Sequence, residues 1–451
     1  MDRIAYCAPL PPAATGIADY AAEQISDLAG LVAEVCAYHP RGLPAAPIPG
    51  VVTAPIDRLE EAGPFDAVLI HLGNHAGFHR ELFELALRQP SVVVLHEVDL
   101  RHLVVGSTLG AGDPGGWLAL LRRAYGAPGE AAGRRWLEQG SAAGLRDRPL
   151  FEPVVDASRG VVVHTAWGRD RVLAARPRAA IRVVPHPLPV GASTATRIEP
   201  GVVRSRLGIQ PESLMVGMFG SVTAAKRLHT VLLAFQLVRR HVPIAQLVVI
   251  GDRGPYPPAD ELLAGPLGDG VVATGRVPLD DLLSTMAAVD VAVSLRHPPG
   301  GEASGAALRL LGLGRPLVTS DSGWCAEIPE GAAVHVAPDR DEVANLAAAM
   351  LALAGDPDLR RSVGHGGLRW ARSQHAPDRA ARTLVKALTD LSALEPPHPE
   401  TAPEVERRRL PDATLVGAVG RALAELGVQD DDSREVEIVT RRLRELSADP
   451  P

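Results

Sequence analysis

The chain has 451 residues, 46% of them hydrophobic and only 4% aromatic, enough for two domains with aliphatic cores. A formal net charge of -7 excludes a general attraction to nucleic acid or to an anionic membrane. Three cysteines, Cys7, Cys36 and Cys325, lie far apart with no CxxC pair, which argues against a disulfide framework or a structural zinc site and fits a reducing compartment.

No apolar run approaches the ~18 residues of a spanning helix, and Met1 leads straight into a short strand, so a cytoplasmic protein is expected. In chain order, residues 3–8 predict a first strand and 9–15 a proline-rich loop. Gly16 then leads into a helix that Asp19 caps and Gly30 ends. Further strands are predicted at 32–38, 66–72, 91–96, 160–165 and 181–184, with helices at 80–88 and 167–175. This alternation predicts a parallel sheet covered by helices on both faces, with its ligand beyond the carboxyl ends of the strands. Gly16 and His96 fall at such ends. Each has a second reading, as a turn glycine and as a structurally satisfied histidine.

His71, His75 and His79 are spaced four apart, but Gly73-Asn74 interrupts them, so no shared helical face and no metal site is expected. Residues 106–147 are rich in Gly and Arg and carry Trp117 and Trp136. There Arg122, Arg123, Arg134 and Arg135 read either as a patch for an acidic acceptor or membrane surface, or as solvated helix faces. Residues 190–200 predict an interdomain linker.

The second half repeats the layout. Residues 214–220 form an apolar strand closing in glycine, and Lys226-Arg227 begins a helix running to about 240. Two adjacent cations in a βα loop suit a diphosphate, Lys as a point charge and Arg as a fork; a helix start facing water is the other reading. Strands at 246–251, 271–275 and 289–295, with a helix at 280–288, precede the most distinctive stretch, HPPGGEASGAALRLLGLGRPLVTS at 297–320. Its Pro/Gly loop carries one carboxylate, Glu302, suited to accept from a sugar or ribose hydroxyl. Small residues 303–306 open a helix, whose N–H groups near Ser304 and Gly305 suit phosphate oxygens. Residues 314–316 stop it before a strand at 317–320. A strand at 334–336 and helices at 341–353, 359–373 and 378–394 complete a second α/β unit. EPPHPETAPE then reads as a linker, and residues 410–451 return to helical periodicity, as a small appendage or a partner-docking tail. The expected domains are 1–192, 193–395 and a linker with helical tail at 396–451.

Over residues 3–394 the sequence resembles the GT-B glycosyltransferases of family 4. The resemblance is carried by PLPPAATGIADY, IHLGNHAGFH, VVVLHEVDLRHL, VVVHTAWGRD, VVPHPLP, MFGSVTAAKRLHTVLLAF, ATGRVP and GEASGAALRLLGLGRPLVTSDSGWCAEIP. It implies an α/β fold of two Rossmann-like domains facing a central cleft, and retaining transfer of a sugar from a nucleotide-diphosphate sugar to a carbohydrate or other hydroxyl acceptor. By the same resemblance His96, Glu302 and Lys226 serve catalysis. Gly16, Lys226, Arg227, Arg276, Val277, Ser304 and Gly305 hold the donor. No metal, cofactor or nucleic-acid partner is implied, and peripheral membrane contact is compatible with it. The sequence departs from the family pattern twice. The second glutamate of the two-glutamate motif falls near Arg309–Leu310, and the arginine that often follows the glycine of the first C-domain strand is Ser221. A nucleotide-sugar epimerase and a non-catalytic binding subunit are the alternatives. A dinucleotide oxidoreductase is disfavoured because no GxGxxG follows either first strand.

Overall fold

The structure, a computed structural model, describes residues 1–140, 144–145, 147–189, 198–253 and 258–395. Most of the expected linker and the whole tail, 396–451, lie outside the described residues. The chain divides into two compact units: Met1–Pro185 with Gly300–Glu302 and the chain from Ala381, and His186–Pro299 with Ala303–Ala380. The sequence reading differs on two points. It drew the boundary at 192/193, and it assigned Glu302 and the last helix wholly to the second domain.

In the first unit, β1 (Arg3–Cys7), β2 (Glu34–His39), β3 (Val52–Pro55), β4 (Ala67–Leu72), β5 (Val92–Leu95), β6 (Gly160–Val163) and β7 (Ile181–Val183) form a parallel seven-stranded sheet of order β3-β2-β1-β4-β5-β6-β7. Around it lie α1 (Gly16–Ala29), α2 (Ala76–Arg88), α3 (Arg101–Ser107), α4 (Pro114–Gln139), α5 (Glu152–Ala157) and α6 (Ala166–Ala175). Successive β1 residues enter opposite cores: Ala5 and Cys7 one, Ile4 and Tyr6 the other. A strand buried on both faces has no polar side to show, hence the unbroken apolar runs of its sequence. Thr15, not Asp19, caps α1, its hydroxyl accepting from the Ile17 N–H at 3.4 Å. The sequence reading omitted β3 and α4. The latter holds Trp117 and Trp136 buried with ring centroids 5.2 Å apart and bends at Gly126, which has φ 66°. Of the four arginines singled out there, Arg122 and Arg134 both pair with Glu130, which supports the solvated-helix reading over a basic patch.

In the second unit, α7 (Pro200–Arg206) precedes β8 (Met215–Phe219), α8 (Leu228–His241), β9 (Gln246–Ile250), α9 (Pro258–Ala264), β10 (Val271–Gly275), α10 (Leu279–Ala288), β11 (Val291–Ser294), α11 (Gly305–Gly312), β12 (Leu317–Ser320), β13 (Val334–Val336), α12 (Glu342–Gly355) and α13 (Pro357–Gln374). Its six strands are parallel in the order β10-β9-β8-β11-β12-β13. Again β8 alternates, Met215 and Phe219 in one core, Val216 and Met218 in the other. The last helix, α14 (Pro377–Ser392), buries Leu384, Leu388 and Leu391 in the core that holds Ile4 and Tyr6. Among the described residues no helix is long and apolar enough to cross a membrane. The three cysteines are free and buried.

Candidate functional site

In each sheet the strand order reverses once, between β1 and β4 and between β8 and β11. Loops leaving such neighbours part to opposite faces and open a crevice beyond the carboxyl ends, the expected place for a ligand.

In the second unit the loop after β8 carries Lys226. Its Nζ donates to the Phe219 carbonyl at 3.3 Å. Burial, with the charge of Arg296 adding to it, pushes its pKa down to about 7. The sequence reading began a helix at Lys226-Arg227; instead Ala224–Lys226 is a 3-10 turn, Arg227 is left-handed (φ 55°), and α8 starts at Leu228. Left-handed backbone is costly for a residue with a Cβ. Here a side-chain pairing offsets it: Arg227 Nε donates to Glu342 Oε2 at 2.7 Å, and that carboxylate is buried at the start of α12. Arg227 is thus braced against α12, a use the sequence gave no sign of. The loop after β11 meets the same place, the His297 N–H donating to the Ala225 carbonyl at 2.8 Å and the Arg296 N–H to Ser320 Oγ at 2.8 Å. Ser304 caps α11, accepting from the Ala307 N–H at 3.2 Å, with Gly305 as first helical residue. Arg276, exposed, and Val277, half-buried, follow β10.

In the first unit Gly16 is the exposed first residue of α1, and a Cβ built there would meet nothing within 4 Å. His96 follows β5. Its N–H donates to the Leu72 carbonyl at 3.0 Å, extending the β4–β5 ladder by one residue. Two residues on, the Val98 N–H donates to the Gly300 carbonyl at 2.8 Å, and Thr165 Oγ donates to the Gly301 carbonyl at 3.1 Å. These bonds anchor the segment that ends in Glu302, whose carboxylate folds back over Gly300 so closely that a Cβ there would lie 2.6 Å from Oε2. His96 and Glu302 therefore each lie two residues from one end of a single main-chain bond, Val98 N–H to the Gly300 carbonyl.

Around His96 stand groups that sequence reasoning passed over. His71 Nδ1 lies 3.0 Å from His96 Nε2. Tyr20 meets the His96 ring edge-on with centroids 4.8 Å apart, and His164 lies at 4.9 Å. His71 and His96 stand at or just past the ends of adjacent strands, and that spacing was the only sequence signal available. His79, part of the rejected metal reading, donates from Nδ1 to the His71 carbonyl at 3.2 Å.

Residues 211–356 match the family model described as Glycosyl transferases group 1. A comparison with curated protein sequences finds no match. Among solved structures the chain is similar to HepE of Anabaena, in complex with UDP and glucose, at 16% identity and a TM-score of 0.58, over 86% of this chain and 100% of that one. It is likewise similar to sucrose-phosphate synthase from Thermosynechococcus elongatus (14% identity, TM-score 0.60, 87% and 99% of the two chains). WaaG, a glycosyltransferase involved in lipopolysaccharide biosynthesis, is similar at 16% identity and a TM-score of 0.53, over 84% and 98%. At such identities these likenesses establish the fold alone, and the family model covers the second unit's sheet, its loops and Lys226. Residues 211–356 are thus similar to the group 1 glycosyltransferases, within a chain that has the GT-B fold of two parallel-sheet units.

Proposed function

We propose that the enzyme moves a sugar from a nucleotide-diphosphate sugar to a hydroxyl acceptor with retention of anomeric configuration, without a metal, in the cytoplasm. One observation carries the reading: a half-buried lysine, Lys226, held at the carboxyl end of β8 by the Phe219 carbonyl, within the residues that match the family model. A cation partly withdrawn from water is costly unless an anion completes it. Departure of a nucleoside diphosphate from an anomeric carbon puts new negative charge on the leaving phosphate, and preorganised donors are worth most there. Lys226 supplies a point charge, and the N–H groups at Ser304 and Gly305 supply dipoles. Gly16 leaves its helix start open to a phosphate or a sugar. His96 and Glu302 orient the sugar through its hydroxyls, while Arg276 and Val277 flank the base. Arg227 contributes by fixing the turn that carries Lys226. HepE, solved with UDP and with UDP-glucose, supports a uridine donor as the first to try.

The test is a thermal-shift screen against UDP-, GDP- and ADP-sugars, since a ligand at ~100 times its Kd adds about 2.7 kcal/mol. The active donor is then followed by NMR of the anomeric proton in the product. An α-linked product from an α-linked donor, formed equally well in EDTA, is the expected result. Lys226→Ala and Glu302→Ala should each reduce turnover by ~10²-fold or more. The departure at Arg309–Leu310 favours a second reading, a subunit that binds a donor without transferring it. That reading stands if a donor shifts the melting curve and no acceptor yields free nucleoside diphosphate.

A further inference from the structure

His71 is wholly buried in the first unit, stacked on Tyr6 with centroids 4.4 Å apart. Burial and the neighbouring His164 and His79 drive its pKa well below the usual histidine value, so the ring is neutral and carries one proton. Nε2 has no hydrogen-bond partner among the described residues, whereas Nδ1 lies 3.0 Å from His96 Nε2. A buried N–H left without an acceptor costs ~1–3 kcal/mol, while an unused lone pair costs less. The proton therefore belongs on Nδ1, pointing at His96. A ring nitrogen that accepts that bond cannot bear a proton itself, so His96 carries its proton on Nδ1. The surroundings hold both strand ends in place: the His96 main-chain N–H is held by the Leu72 carbonyl, and the His71 carbonyl takes the ring Nδ1–H of His79.

We propose that His71 is a positioning residue that locks His96 in the Nδ1–H tautomer, so that His96 meets a sugar hydroxyl as a hydrogen-bond donor and does not act as a base. This rests on the reading of His96 as a sugar contact, but its first test does not. Ring nitrogens of the full-length protein, labelled with 15N-histidine, are correlated with their carbon-bound protons, and His71 and His96 are assigned by single substitution. Both rings should be protonated on Nδ1. His71→Phe should release His96 to the Nε2–H form or to an average of the two. His71→Asn, which keeps an N–H near the lost Nδ1, should hold the wild-type tautomer. A wild-type His96 protonated on Nε2, or a tautomer indifferent to His71→Phe, overturns the proposal. Should His71→Phe not fold, the wild-type spectrum and His71→Asn still decide.

Kinetics supply the second test. His71→Phe should lower kcat by about 10- to 100-fold, the size of loss seen when the outer partner of a metal-bound histidine is removed, with donor KM little changed. His71→Asn should recover most of it, and His71→Phe should cost nothing further in a His96→Ala background. Additive losses in that double variant would reduce His71 to a packing residue. If His96→Ala itself keeps full turnover, the functional reading of the site fails while the tautomer result stands on its own.

Discussion

Lys226 donates to the Phe219 carbonyl at 3.3 Å over Gly220, where a Cβ would lie 2.5 Å from the ammonium. The cation is thus drawn back onto its own strand end, and burial there brings its pKa down to about 7. The group therefore titrates close to neutral pH in the unliganded protein. A bound diphosphate favours the charged form, so binding draws in a proton.

The sign follows from the depressed value. Below about pH 7 the ammonium is already present and donor affinity is at its plateau. Above it each ligand must bring a proton with it, and affinity falls about tenfold per pH unit until the pKa of the complex is reached. Calorimetric titration of UDP at about pH 8, in two buffers of different ionisation enthalpy, should register uptake approaching one proton. In Lys226→Met that uptake should vanish. Wild-type binding with no proton exchange would remove the basis of the pH dependence.

Gly220→Ala tests the same contact from the backbone side. Gly220 has φ +88°, a left-handed conformation that costs an L-residue about 1–2 kcal/mol. The new methyl would also have to displace the ammonium. The expected outcome is a melting temperature lowered by a few degrees, together with donor affinity reduced well beyond what lost stability alone would produce. Wild-type UDP affinity in Gly220→Ala would mean that the retracted position of Lys226 has no bearing on the ligand.

Much of this architecture is legible in the sequence because its strands are buried on both faces. Runs such as residues 92–95 and 214–219 declare themselves without any periodicity, and β10, β12 and β13 match their predicted bounds. Elements lacking that signature were missed. The strand β3 is half exposed, with two of four residues open to solvent, and α4 is broken at Gly126 and contains Pro128. The candidate site divides the same way. Gly16, Lys226, Glu302 and Ser304 each sit where a local pattern, strand then glycine then helix, points. His71 and Glu342 do not, because each matters through a partner 25 or 115 residues away that only the sheet order brings close. The helix start at Lys226-Arg227 was misplaced for a related reason: two adjacent cations look alike in sequence, yet Arg227 is left-handed and the helix begins only at Leu228.

Gly16 offers a variant without a folding cost. It begins α1 with open space where a Cβ would go, and its φ is not in the left-handed region. Gly16→Ala should therefore leave the melting temperature within about a degree, since alanine favours the helix by ~1 kcal/mol in helix interiors and by less at a first position. If a substrate group approaches this helix start, the methyl will obstruct it, and kcat/KM should fall by roughly tenfold or more. Unchanged kinetics would make Gly16 a turn glycine and nothing else.

The Arg227–Glu342 pair distinguishes a brace from a ligand. Glu342 is 1% exposed, and its Oε1 has no hydrogen-bond partner among the described residues, so Arg227 is the cation its carboxylate pairs with. Arg227→Met should strand that charge and cost about 3 kcal/mol, the lower end of the usual range because the Arg227 side chain is 30% exposed. Glu342→Gln should cost less, since the amide oxygen still accepts from Nε and no buried charge is left behind. The double variant Arg227→Met/Glu342→Leu removes both charges together, and replacing a buried pair by apolar groups is often neutral, so most of the stability should return. Its UDP affinity then decides the arginine's role. Affinity within about threefold of wild type, which is less than 1 kcal/mol, means the guanidinium only holds the Lys226 turn. A loss of tenfold or more in a variant of recovered stability means that Arg227 leaves Glu342 to meet the diphosphate when the donor binds.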